Sequence, residues 1–262
     1  MSGAGTEPGL RELLDRPGLR LGTYIGEFSS HGLGQILATA GCDFAFVDME
    51  HSGFGFETAA GVLRGLHGAG VASLLRVPSG ARHHLQRAAD IGAQGVIVPM
   101  VGSIDEVRSA IAALKYPPEG QRGVALGLAH DDYGVAPIAD TFAVANRRVC
   151  FVPLIETAEG LENCEAICAE TGVDAIWIGH LDLTSSLGIP GAFDDPIFTE
   201  AIARIMAAAQ SAGVPVGQLV MRPEDGAACH RDGSDLICYS SDIWLLRDAL
   251  TRGFAEIRAG RD

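Results

Sequence analysis

Short, almost unbroken apolar runs recur along this chain, and the stretches between them carry helical spacing. The runs fall at 20–25, 44–48, 71–77, 95–100, 149–155, 174–179, 214–219 and 235–239, and starts are commonly about 25 residues apart. A strand with one wet face alternates polar and apolar residues. An unbroken run such as Phe44-Ala45-Phe46-Val47 therefore demands cover on both faces, which parallel strands beneath helices provide. Helical periodicity is clear at 82–91, 104–114, 158–170, 197–212 and 243–258. Eight β-then-α units in 262 residues predict an α/β fold of the TIM (β/α)8 barrel type, with 1–18 as an N-terminal arm and 19–262 as one barrel domain. A doubly wound sheet is the competing layout, but the first strand lacks the glycine fingerprint of a dinucleotide fold. The wider gap between 100 and 149 holds 116–123 and 130–137 and is expected to be an inserted loop region.

Composition narrows the partners. Nineteen Lys and Arg against 33 Asp and Glu leave a net charge of −14, without a basic patch, which excludes nucleic acid and an anionic membrane surface as partners. No apolar run approaches a membrane span, and no basic-then-apolar leader opens the chain, so a cytoplasmic location is expected. None of the six cysteines forms a C-x-x-C pair; they read as small buried apolar residues.

A barrel enzyme keeps its catalytic side chains just past the C-terminal ends of its strands. Here the second run ends in Asp48, Glu50 and His51, the third in Arg76, the fifth in Glu156, and the sixth is followed by Asp182. Each has a bland local reading. Glu156 can answer a helix dipole, Asp182 can be an N-cap, Arg76 can pair with Glu50, and Asp48 can close a loop with His51. Together they supply two carboxylates, an imidazole, an orienting acid and a cation around one barrel mouth. Two carboxylates suit a hard divalent cation, Mg2+ or Mn2+, which keeps waters and shares its shell with substrate; Co2+ and Zn2+ are the alternatives. Lys115 is the only lysine and sits at a helix end before Tyr116-Pro117-Pro118, which argues against Schiff-base aldol chemistry.

The segments Phe46-Val47-Asp48-Met49-Glu50-His51, Leu75-Arg76-Val77-Pro78, Gly-Ala-Gln-Gly-Val-Ile-Val-Pro-Met-Val (92–101), Tyr-Pro-Pro-Glu-Gly-Gln-Arg-Gly (116–123), Ile155-Glu156-Thr157 and Ile-Gly-x-x-Asp-Leu (178–183) occur in this order. The pattern resembles the HpcH/HpaI aldolase/citrate lyase family over roughly 19–259. That resemblance implies a class II, metal-dependent aldolase that cleaves or forms 4-hydroxy-2-oxo acids, giving pyruvate and an aldehyde. It implies Glu156 and Asp182 as metal ligands, His51 oriented by Asp48 as the base, Arg76 as oxyanion stabiliser and Glu50 as support. The backbone near Gly179, His180 and Leu181 would take the pyruvate carboxylate. It also implies a homo-oligomer, a hexamer or trimer of dimers, with the 243–258 helix exchanged between subunits.

Two positions depart from the family pattern. Leu154 stands where many such aldolases carry glutamine, and His180-Leu181 replaces Pro-Ala or Pro-Asn before the acid, so His180 is a candidate extra metal or substrate ligand. The loop His130-Asp131-Asp132-Tyr133 also lacks an expected arginine. These changes point to a substrate unlike the usual sugar acids. Three alternatives stand beside the aldolase: a CoA-thioester lyase, an oxaloacetate decarboxylase, and a metal or oxo-acid binding module without turnover.

Overall fold

The computed structural model describes residues 9–260. All eight apolar runs are strands: β1 (Arg20–Ile25), β2 (Phe44–Asp48), β3 (Ala72–Arg76), β4 (Gly95–Val98), β5 (Cys150–Ile155), β6 (Ile176–Ile178), β7 (Val216–Val220) and β8 (Leu236–Ser241). Each pairs in parallel with the next, and β8 pairs with β1 to close a barrel. The two-faced burial expected from the runs has a direct counterpart in two apolar cores. Phe44, Phe46, Leu74, Leu154, Trp177 and Cys238 fill the barrel interior. Val47, Leu75, Val96, Ile155 and Ile178 face the helical layer.

The stretch before the first strand is not idle. Helix α1 (Leu10–Asp15) buries Leu10, Leu13 and Leu14 in the interior core and so plugs the N-terminal end of the barrel. The Arg20 guanidinium donates to the carbonyls of Leu13 and Leu14 at 3.1 and 2.9 Å, satisfying the end of that helix. Residues 1–8 of the expected arm lie outside the described residues.

Helices α2 (Leu33–Thr39) and α3 (Phe56–Gly68) escape the periodicity reading because glycines dilute it. Those glycines serve packing: a Cβ on Gly34 would strike the carbonyl of Gly65, so the two helices meet backbone to backbone. Helices α4 (Arg82–Asp90) and α5 (Ile104–Leu114) stand where expected. The 100–149 gap is corrected in part, since besides loop it holds a 3-10 turn (Ala129–Asp131) and α6 (Ile138–Arg148). The single helix expected at 158–170 is two, α7 (Ala158–Glu162) and α8 (Cys164–Ala169), broken at Asn163, whose amide donates to the Gly102 carbonyl at 2.7 Å.

Helices α9 (His180–Ser186), α10 (Pro196–Ala212), α11 (Pro223–Arg231) and α12 (Asp242–Ala259) complete the chain. Helix α12 buries only Asp242 and leaves Leu246, Leu250, Phe254 and Ile257 exposed. Among the described residues no helix is long and apolar enough to cross a membrane.

Candidate active site

The end of β2 builds the first half of the site. Asp48 is fully buried, and its carboxylate accepts from the backbone N–H of Glu50 at 3.1 Å and of His51 at 2.9 Å. Ser52 Oγ donates back to the Asp48 carbonyl at 2.6 Å, so the sequence Asp-x-x-x-Ser folds this turn on itself. Two side chains complete the carboxylate's shell: Arg76 Nε at 2.6 Å and the Tyr24 hydroxyl at 2.5 Å. Burial opposes ionisation of Asp48, but Arg76 outweighs it and holds the carboxyl below its usual range. Burial, with Asp48 beside it, pushes the Tyr24 phenol well above its ordinary value, so Tyr24 is a hydrogen-bond donor throughout the working pH range.

This corrects one expectation. Asp48 holds the His51 main chain rather than its imidazole; the acid nearest the ring is Glu50, whose Oε2 lies 3.8 Å from His51 Nε2 and 3.1 Å from Arg76 Nη1. Arg76 is thus fixed on two edges by Asp48 and Glu50, and its ring neighbour is Phe46, 5.5 Å below. The His51 side chain is 63% exposed, free to meet a ligand in the mouth.

The second half comes from β5 and β6. Glu156 is buried at the end of β5, and its Oε1 accepts from the Met100 amide at 2.8 Å. Met100 has φ 57°, in the left-handed region that a non-glycine residue enters at a cost of about 1 kcal/mol. That conformation aims the amide, and nothing in the sequence announces it. Thr157, not Glu156, caps α7, so Glu156 is not engaged as a first-turn dipole partner. Gly179 passes so close that a Cβ there would collide with the Glu156 carboxylate. Asp182 lies in the first turn of α9, with Gly179 as the N-cap, and its side chain faces solvent at the mouth.

Burial first, and then the charges of Asp182 and Glu50, raise the Glu156 carboxyl to about 7 despite the Met100 bond. Burial also raises Glu50. With Asp48 neutralised by Arg76, the mouth has an uncompensated cluster of acids. Such a cluster suits a divalent cation, and a two-carboxylate, all-oxygen donor set suits a hard ion that retains waters. No group of three or more His, Cys, Asp or Glu side chains able to hold a metal occurs among the described residues.

His51, Arg76, Leu154, Glu156, Gly179, His180, Leu181 and Asp182 line one cavity of ≈ 1820 Å3, together with Tyr24, Phe46 and Trp177, and this cavity continues outward between α10 and α11. Leu154 lies two residues beneath Glu156 on the same face of the strand, packed with Phe46 and Trp177 as an apolar floor. His180 turns away from the acids: its Nε2 meets Gln218 Oε1 at 2.8 Å and its ring stands edge-on to Phe198. The imidazole is therefore committed to the outer layer and is not aimed as an extra ligand. Burial lowers its pKa, keeping it neutral. Lys115 is equally remote from chemistry, its Nζ donating to the carbonyls of Asn146 and Val149 at 2.5 and 2.6 Å.

Comparison with known proteins gives a consistent picture. A family model described as HpcH/HpaI aldolase/citrate lyase matches residues 20–249. A 5-keto-4-deoxy-D-glucarate aldolase of Klebsiella pneumoniae is 33% identical over 215 residues, covering 82% of this chain and 83% of that protein. Among solved structures, an HpcH/HpaI aldolase/citrate lyase family protein from Burkholderia cenocepacia is 31% identical with a TM-score of 0.88, covering 95% of this chain and 98% of that one. An HpcH/HpaI aldolase from Desulfitobacterium hafniense is 29% identical with a TM-score of 0.86, covering 92% and 93%.

Proposed function

The chain belongs to the HpcH/HpaI aldolase/citrate lyase family, and on that premise we propose that it is a divalent-metal-dependent aldolase that cleaves or forms a 4-hydroxy-2-oxo acid through a pyruvate enolate. The observation that carries this reading is the buried Glu156 carboxylate, raised to about 7 and set in one cavity with Asp182 and the doubly anchored Arg76. Glu156 and Asp182 would hold the cation, Mg2+ or Mn2+ by donor type. Once bound, that cation supplies Lewis acidity toward the carbonyl of the 2-oxo acid.

The chain's own residues do the rest. Arg76, fixed through Nε and Nη1, offers its remaining N–H groups to the oxygen on which enolate charge develops. In cleavage His51 takes the proton of the 4-hydroxyl, the C3–C4 bond breaks, and its electron pair passes into the enolate. Return of a proton to C3 completes pyruvate, and the other fragment leaves as an aldehyde. Glu50 stands beside the imidazole, its Oε2 3.8 Å from Nε2. The backbone at Gly179–Asp182 receives the pyruvate carboxylate. Leu154, Phe46 and the Trp177 ring form an apolar floor whose one side-chain donor is the indole N–H, which supports an aldehyde partner less polar than the sugar acid named for the Klebsiella relative.

Assembly is part of the same proposal. The exposed apolar residues of α12, and an exposed Leu21 on β1, support a homo-oligomer in which α12 packs on a neighbouring subunit. The test of function needs no knowledge of the aldehyde: deuterium exchange into the pyruvate methyl group, followed by NMR. Exchange that requires Mg2+ or Mn2+ and stops with EDTA is the expected result. Absence of exchange with metal bound overturns the pyruvate-enolate reading.

A further inference from the structure

Helix α9 is short, and its first turn holds Asp182, whose side chain stands in solvent at the mouth. The main-chain N–H groups of a first helical turn have no acceptor within their own helix, so the backbone alone does not fix its direction. Part of the seating is apolar, through the buried Leu183 and Thr184. The polar part lies behind the helix. His180, the first helical residue, reaches into the layer between β7 and α10 and bonds Gln218 Oε1 at 2.8 Å. Gln218 is 4% exposed on the outer face of β7, and its Nε2 is taken by Ser234 Oγ at 2.5 Å. The amide is therefore oriented with its oxygen toward the imidazole, and His180 presents its N–H at Nε2. The edge of the same ring abuts Phe198 of α10, with centroids 5.7 Å apart and planes at 90°.

Each partner depends on the other. Without His180, the Gln218 oxygen keeps only the thiol of Cys229 at 3.7 Å, a weak donor for a buried amide. Without Gln218, the imidazole N–H beside Phe198 keeps no protein acceptor. The pair is thus a strut between β7 and the one turn that bears Asp182, two residues along the helix from the point of attachment.

We infer that His180 is a positioning residue: through Gln218 it locks the first turn of α9 to β7 and so fixes Asp182 relative to Glu156, the two carboxylates that would hold the divalent cation. The inference rests on the metal reading given above, and its test separates the two. Mn2+ affinity is measured by water-proton relaxation on wild type, His180→Leu, Gln218→Leu and the double variant, with circular dichroism confirming the fold. Each single substitution weakens Mn2+ binding about tenfold, as loss of a group that orients a ligand does. The double variant is no worse than either single, because both cut the same strut. His180→Gln, which keeps an N–H donor, recovers affinity to within about threefold of wild type. Single variants that bind Mn2+ as wild type does, or losses that add in the double, overturn the role of His180 alone. A wild-type protein that binds no Mn2+ overturns the metal reading and this inference with it.

Discussion

The Glu156 carboxyl is the group on which metal binding and stability meet, and its raised value makes a quantitative demand. An unfolded chain ionises this glutamate at 4.5, whereas the metal-free native protein holds the proton up to about 7. Between those values the native state binds a proton that the unfolded state lacks, so stability falls as pH rises through the window. The difference of roughly 2.5 units, at about 1.4 kcal/mol each, amounts to about 3 kcal/mol lost by pH 7.5. In a chain of this length that corresponds to a fall of about 6 °C in melting temperature.

Buried histidines work in the opposite sense. Burial lowers His130 and His180, so their contribution rises with pH and is complete above 6.5. Glu156→Gln removes the carboxylate and leaves those histidines in place, so the informative quantity is the difference between the two proteins. Melting curves in EDTA at pH 4.5 and 7.5 should show the variant gaining about 6 °C on wild type across the interval. Saturating Mn2+ at pH 7.5 should reverse the order, because wild type alone gains binding free energy. Parallel melting temperatures for the two proteins across the pH range would refute the placement of Glu156 as a strained, metal-seeking carboxylate.

Other substitutions follow from single contacts. Tyr24→Phe keeps the ring stacked on Phe46 but removes the hydroxyl bound to Asp48, so urea melts should show a loss of about 1–3 kcal/mol, and the pyruvate exchange rate should fall with little change in KM. Gly179→Ala drives a methyl into the Glu156 carboxylate, which should destabilise by about 1–3 kcal/mol and weaken Mn2+ binding in the same titration. Asp242 accepts from the amides of Gly26, Glu27 and Phe28 at 3.3, 2.9 and 2.8 Å, stitching the loop after β1 to the start of α12. Asp242→Ala should therefore destabilise by about 2–4 kcal/mol in urea. Lys115→Met strands two buried carbonyls and should lower stability by about 1–3 kcal/mol while pyruvate exchange continues, and borohydride with pyruvate should inactivate neither protein.

The strands were legible because burial on both faces leaves a mark that no other element of this length leaves. The acids at their ends were legible because polarity changes abruptly there. What the sequence withheld depends on contacts made only after closure. Tyr24 reads as one more apolar strand residue, and its hydroxyl finds Asp48 only because β1 lies beside β2 with Tyr24 opposite Phe46. The direction of His180 is decided by Gln218 and Phe198, from two later elements, and the aim of the Met100 amide by a backbone angle that methionine does not signal. Helix α6 was hidden in a stretch with a weak apolar face, whose buried positions are Thr141, Ala145 and Asn146.

One pattern links the legible part to the chemistry. In four strands an interior apolar residue is followed two positions later by a site residue: Phe46 and Asp48, Leu74 and Arg76, Leu154 and Glu156, Trp177 and Gly179. Pairing sets Phe46 against Leu74, Asp48 against Arg76, and Leu154 against Trp177. Because side chains repeat their face every second residue, these pairs stack as two layers, an apolar floor with a charged layer directly upon it. The floor raises the free energy of every unpaired charge above it. Arg76 therefore needs its two acids, and Glu156, which has no such partner, is left with a carboxylate that a divalent cation can satisfy.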